Sequence, residues 1–145
     1  MSKINFYLKA IEKVLSSIYI QRRYNLIRLF GDKRYKVVIL YMIMRHHYQK
    51  KLNQQQFDFI PTKENLYSHL YQDISRLSLT KFIDLMVSTG VLKKERYPND
   101  QRKWIIAPSQ ILINEFESMH QERAEGLEGL KSENEMISLK SLQVI

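Results

Sequence analysis

Apolar residues recur at steps of three and four over residues 3–20. Ile4, Tyr7, Leu8, Ile11, Val14, Leu15 and Ile18 share one stripe, and Lys3, Lys9, Glu12 and Lys13 fall off it. That spacing predicts an amphipathic helix. A second apolar cluster, Leu26, Ile27, Leu29 and Phe30, is interrupted by Gly31-Asp32, where Asp32 is placed to cap the next helix. That helix is expected from about Lys33 to Lys51. Its middle, Val37 to Met44, is apolar nearly all round, which predicts a central helix buried on most sides. Asn53 to Gln56 reads as a polar connection and Phe59-Ile60 as a brief strand.

Pro61-Thr62 opens a short helix ending near Leu70-Tyr71, with Thr62 as its cap and Leu66, Tyr67 and Leu70 on its apolar side. A short connection leads to Ser75 or Ser78, either of which can cap the following helix. Leu79, Phe82, Ile83, Leu85, Met86 and Val87 supply that helix's apolar side, and Gly90 stops it. The period then changes to that of strands. Val91 to Arg96 and Arg102 to Ala107 read as a hairpin turning at Tyr97 to Gln101. Pro108-Ser109 opens a last helix, with Leu112, Phe116 and Met119 as its stripe, running to about Arg123. Gly126 and Gly129 weaken helix propensity, so residues 126–145 are expected as a loose tail or short helix.

Short helix, tight connection, second helix, glycine, hairpin: this order predicts a mainly α, winged helix-turn-helix fold. It sits in one domain over residues 1–125, with the helix-turn-helix at about 62–90 and the wing at about 91–107. Such a unit suits duplex DNA. The second helix fits the major groove with its N-terminal side chains foremost, and an arginine on the hairpin is drawn to the negative potential of the minor groove. Ser78, Thr80 and Lys81 open that second helix, and Arg76 falls in the preceding turn as a phosphate contact. Lys63 starts the first helix and can neutralise another phosphate. On the wing, Arg102 is the prime minor-groove candidate, with Asp100 two residues away to hold its guanidinium and Gln101 and Lys103 adding phosphate contacts. Trp104 is expected to pack the hairpin onto the domain, and Asp84 to serve as an ion-pair residue.

Charge strengthens this picture. Lys and Arg outnumber Asp and Glu by 23 to 15, for a net +8 and a pI near 9.6. Residues 1–60 carry net +9, residues 61–105 net +3 and residues 106–145 net −4. A polyanionic partner is therefore expected on the first two-thirds of the chain. Arg22, Arg23, Arg28, Lys33, Arg34 and Lys36, with Tyr24 and Tyr35 between them, form a basic string that could flank a DNA face or stack on single strands. The longest apolar run is the eight residues Val37 to Met44, against about 20 for a membrane span. The first residues carry charges every few positions and no apolar signal core. The expectation is a cytoplasmic, nucleoid-associated protein without membrane contact.

Several chemistries drop out. The four glycines are too dispersed for a phosphate loop, and with no cysteine there is no disulfide, thiolate zinc site or thiol sensor. His46 and His47 are adjacent on a helix and diverge by about 100°, while His69 and His120 are isolated. No Ser/His/Asp set or carboxylate pair stands out. The chain is read as a non-enzyme, with no cofactor or metal expected.

Residues Leu79-Thr80-Lys81-Phe82-Ile83-Asp84-Leu85-Met86-Val87, followed by Gly90-Val91-Leu92, resemble the recognition helix and exit of MarR-type winged-helix transcriptional regulators. Pro98-Asn99-Asp100-Gln101-Arg102 resembles that family's Pro-x-Asp-x-Arg wing tip, and Ser109 falls where its next helix opens. The match spans about Thr62 to Ser109. The resemblance implies a homodimer on double-stranded DNA, probing two major grooves, with the helices at 3–20 and 109–125 interlocking two copies. It implies a repressor, and a small aromatic effector as a further partner; thiol sensing is excluded. A plasmid- or phage-type replication or partition protein, and a winged helix used for protein contact, share the same features.

Overall fold

A computed structural model describes residues 3–52, 56–57, 59–98 and 100–125. Along these the chain runs α1 (Lys3–Arg22), α2 (Asn25–Arg28), α3 (Arg34–Lys51), α4 (Lys63–Leu70), α5 (Arg76–Ser88), β1 (Leu92–Tyr97) and β2 (Asp100–Pro108), then α6 (110–125). The tail expected at 126–145 lies outside the described residues. The fold is mainly α with one antiparallel hairpin, as the sequence pattern predicts.

The core is assembled from nearly every element. Phe30, Ile39, Ile43, Leu66, Ile83, Ile106 and Leu112 are fully buried. Phe82 of α5 receives the rings of Phe30 and Tyr35 edge-on, at 5.6 and 6.2 Å between centroids, a favoured aromatic geometry. Helix α2 is only four residues long, and its last turn tightens as the amides of Leu29, Phe30 and Gly31 donate three residues back. Its open N-terminus is capped from a distance: the Leu26 amide donates to the Glu115 carboxylate of α6 at 2.9 Å. Tyr24 and Arg23 both reach Glu122 of the same helix.

Several expectations change. Asp32 does not cap α3. Lys33 holds the cap position without a side-chain bond, and the Asp32 carboxylate instead receives Lys36 one turn on, at 3.0 Å. That ammonium holds the Asp32 carboxyl below its usual range. Helix α3 is buried along Ile39, Leu40, Ile43, Met44 and His46. Its other side, from Val37 and Val38 to Tyr41, Met42 and Arg45, opens onto the surface. The apolar run therefore overstates its burial. No strand falls on Phe59-Ile60; the Ile106 amide donates to the Pro61 carbonyl at 2.8 Å and fastens that segment to β2. Helix α6 opens with Ser109 accepting from the Leu112 amide, and turns Leu112, Ile113, Phe116 and Met119 into the chain's own core.

Helix α1 is the exception to this packing. Of its described side chains only Ile20 joins the core, while Ile4, Phe6, Tyr7, Leu8, Ile11, Val14, Leu15, Ile18 and Tyr19 are exposed. Among the described residues no helix is long and apolar enough to cross a membrane.

Candidate nucleic-acid interface

Two capped helices build the first half of the site. Thr62 accepts from the Asn65 amide at 3.1 Å and starts α4. Ser75 accepts from the Ser78 amide at 3.2 Å and starts α5. Ser75 is therefore the cap, and its hydroxyl also donates to the Ser78 hydroxyl. Arg76 is the first residue of α5 and not part of the preceding turn. Its guanidinium lies 4.4 Å from the Tyr67 ring of α4, a cation–π contact that fixes the two helices' mutual approach. Helix α5 buries Leu79, Phe82, Ile83 and Met86. The opposite stripe, Leu77, Ser78, Lys81 and Leu85, faces outward, with Thr80 half-buried between the two.

Helix α5 ends in a Schellman motif. The Val91 amide donates to the Met86 carbonyl at 2.9 Å and the Gly90 amide to Val87 at 3.1 Å. Gly90 stands at φ +80, where an L side chain is strained. This turn sends buried Val91 directly into β1 and aims the hairpin out of the core.

The hairpin alternates by face. Lys93 and Glu95 lie on one face and Lys94 and Arg96 on the other. Strand register runs from Leu92↔Pro108 to Arg96↔Trp104 and then slips to Tyr97↔Asp100. Gln101, Arg102 and Lys103 are thereby left without a partner in β1, and the basic residues sit on a looped-out segment of the strand. The Asp100 carboxylate accepts from the Arg102 amide at 3.0 Å and lies 3.6 Å from its Nε. The Arg102 side chain is 94% exposed. Asp100 thus holds the backbone of Arg102 and pairs with its Nε, while most of the side chain reaches outward. Asn99, at the turn, lies outside the described residues.

Trp104 does not pack the hairpin onto the core as the sequence suggests. It is half exposed, beneath the Arg96 guanidinium at 4.0 Å. Arg96 also donates to the Gln101 carbonyl, bracing the looped-out segment. A groove of about 220 Å³ joins the wing face, at Lys94, Arg102, Lys103 and Trp104, to Thr62 and Lys63 at the start of α4. Lys63 is ion-paired with Asp84 of α5. Wing, α4 and α5 are therefore physically continuous, and all the sequence-predicted residues fall along them.

Sequence reasoning missed three residues of this surface. Leu77, an apolar side chain 64% exposed at the head of α5, sits one place before Ser78, where no periodic pattern marks it as outward. Lys94 and Arg96 show as strand residues only once the hairpin faces are known.

No family model and no curated protein sequence matches the chain. Solved structures do. The transcriptional regulator Tm0710 from Thermotoga maritima matches at TM-score 0.52 and 18% identity, over 92% of both chains. A variant of S. aureus MepR bound to an oligodeoxyribonucleotide matches at TM-score 0.59 and 13% identity, over 99% of this chain and 95% of that one. The chain has the MarR-type winged-helix fold. The YusO protein from Bacillus subtilis carries the same architecture at TM-score 0.52 and 14% identity, over 99% and 92% of the two chains. Capped α4, capped α5 and the hairpin with its looped-out Arg102 are thus the helix-turn-helix and wing of that fold.

Proposed function

We propose that the chain is a homodimeric transcriptional regulator, a repressor, that binds duplex DNA through α5 and the wing. The observation that carries this is the continuous surface from exposed Ser78 and Lys81 on α5, through Lys63, to the looped-out Gln101, Arg102 and Lys103. Helix α5 meets base edges in the major groove with Ser78, Thr80 and Lys81. Arg102 enters the adjacent minor groove, while Lys103, Gln101 and Arg76 hold phosphates. Leu77 stands where a thymine methyl would meet it. A neighbour of this fold bound to an oligodeoxyribonucleotide supports the reading.

Dimerisation rests on α1. Its apolar face extends over a helix of 20 residues, about 30 Å at 1.5 Å per residue. Among the described residues nothing covers it, and monomers rarely expose a continuous apolar patch of that extent. The occupant is the same face of a second copy. For the small aromatic effector, the matching recess is the one of about 440 Å³ beside α3, with apolar Val37, Val38 and Met42, the Tyr41 ring and the Arg45 guanidinium.

Selection from a random duplex library at physiological salt tests the proposal, because non-specific binding is then only about 10⁻⁴–10⁻⁶ M. A pseudo-palindrome with half-sites about one turn apart is expected. Enrichment of iterated direct repeats would favour a replication protein. Binding that collapses with salt and enriches nothing would end the sequence-specific reading.

A further inference from the structure

A second basic recess lies on the other face of the hairpin. It is a cavity of about 310 Å³ where the last turns of α3 meet the root of the wing and the start of α6. It shares no lining residue with the groove on the DNA-facing side. The volume falls at the lower end of small-molecule sites, about 300–1,000 Å³.

Its polar groups are unusual. His46 is 4% exposed, and its ring packs on Phe57 at 4.8 Å without a hydrogen bond among the described residues. The Nε2 of His47 is buried and has no partner among the described residues. Buried polar atoms are almost always paired, so an unpaired imidazole nitrogen at a cavity asks for a ligand. Burial holds both imidazoles below their usual pKa, and the neighbouring lysine ammoniums push the same way.

The charges around them are also unbalanced. Glu95 of β1 receives Lys50 of α3 at 3.0 Å and Lys93 at 3.3 Å. Burial alone would raise its carboxyl, but the hydrogen bonds and charge of Lys50 and Lys93 outweigh that and hold it below its ordinary value. Lys51 lines the same cavity with no ion pair among the described residues. The cavity lining thus carries three ammoniums against one carboxylate, an excess of two positive charges. Ala107, Pro108 and Ile113 form an apolar wall beside them. Among the described residues no three His, Asp or Glu side chains are grouped as a metal would require.

We infer that this cavity binds a small phosphate monoester. Its head lies among Lys50, Lys51 and Lys93 with a hydrogen bond to His47, and its organic end rests on Ala107 and Ile113. A phosphate monoester carries about −1.5 to −2 at neutral pH, which matches the surplus; a carboxylate would leave half of it. Lysine suits phosphate as a point charge. The Lys50–Glu95 pair ties α3 to β1, so an occupant that draws Lys50 away acts at the root of the wing. That regulatory consequence rests on the proposed DNA-binding function, whereas the binding itself does not.

The test is a titration with glycerol 3-phosphate at constant ionic strength and without DNA, read by NMR of the histidine ring resonances. Millimolar or tighter binding is expected to move His46 and His47 and leave His69 and His120 in place. Lys51→Gln, at an exposed position, should weaken the response about tenfold, the loss of one charge-assisted contact, and the charge-matched Lys9→Gln on α1 should not. An equal response to benzoate would overturn the dianion assignment. An equal response to inorganic phosphate would overturn the ester. No response at all would overturn the site. A Lys51→Gln chain that loses duplex affinity with no ester present would place a DNA phosphate there and overturn the small-molecule reading.

Discussion

Helix α5 has thirteen residues and buries four apolar side chains within its own chain. Helix α1 has twenty and, of its described side chains, buries only Ile20 there. Both read as amphipathic helices in the sequence, and both are. The difference lies in what covers the apolar side. For α5 it is α4, Phe30, Tyr35 of α3 and the root of the hairpin, so the helix is fixed in direction and its outward stripe is the proposed reading head for bases. For α1 it is nothing among the described residues. Periodicity reports which side of a helix avoids water and is silent on which molecule provides the shelter. Burying one large apolar side chain is worth about 1.5–3 kcal/mol, so a row of exposed ones is a strong drive to associate.

The largest expected effect follows from breaking that drive. Ile11→Glu with Leu15→Glu places two carboxylates on the exposed face of α1. Neither residue belongs to the chain's own core, so the winged helix should stay folded while the dimer dissociates. Sedimentation equilibrium should then give a monomer, and affinity for a two-half-site operator should fall by more than a hundredfold while a single half-site is still bound weakly. A dimer that survives the double substitution would place the association elsewhere.

The reading head comes next in size. Lys81→Ala and Arg102→Ala should each cost about 1–3 kcal/mol of operator affinity. Sequence preference should relax at the contacted positions, measured by anisotropy against the selected site and its single-base variants. Thr80→Ala should cost less, because Thr80 is half-buried against the core. If neither Lys81 nor Arg102 matters, α5 and the wing are not the binding surface and the contrast with α1 loses its meaning.

Much of this layout was legible in the sequence, for physical reasons. Thr62, Ser75 and Gly90 punctuate the helix-turn-helix through side-chain caps and a left-handed backbone, and such local chemistry survives without tertiary information. The outcomes that differ are those settled by distant partners. Asp32 had the right composition for a cap, but Lys36 one turn on captures its carboxylate. Trp104 is expected from the sequence to pack the hairpin onto the domain, yet its cross-strand partner Arg96 lies over its ring and it stays half exposed. The stripe of α6, a helix that the resemblance assigns to the dimer, is taken up by the core of its own chain. Leu77 is apolar by type yet exposed, one turn before Lys81 on the stripe opposite the buried side of α5.

A smaller effect isolates Leu77. Against a thymine 5-methyl it would bury about one methyl group, worth about 0.8 kcal/mol or roughly fourfold. Replacing each thymine of the operator by uracil removes only that methyl. One position per half-site should lose about fourfold with the wild-type chain and nothing with Leu77→Ala. Additive losses from the two changes would mean that Leu77 touches no methyl.

The smallest effect concerns the Lys63–Asp84 pair that joins α4 to α5, and its sign is what makes it informative. Both side chains are partly exposed, so the pair should add only about 0–1 kcal/mol to stability, and Asp84→Asn should barely move the melting temperature. The same substitution removes a negative charge from the surface proposed to face phosphates and releases the Lys63 ammonium. If Lys63 is a phosphate contact restrained by Asp84, DNA affinity should rise slightly at low salt. The gain should vanish at 1 M salt, where the screening length shrinks to about 3 Å. Lys63→Ala should then weaken binding to all sequences alike and flatten the salt dependence. If Asp84→Asn instead weakens binding as much as Lys63→Ala does, Asp84 positions the ammonium for its phosphate, and the pair belongs to the reading head and not to the scaffold behind it.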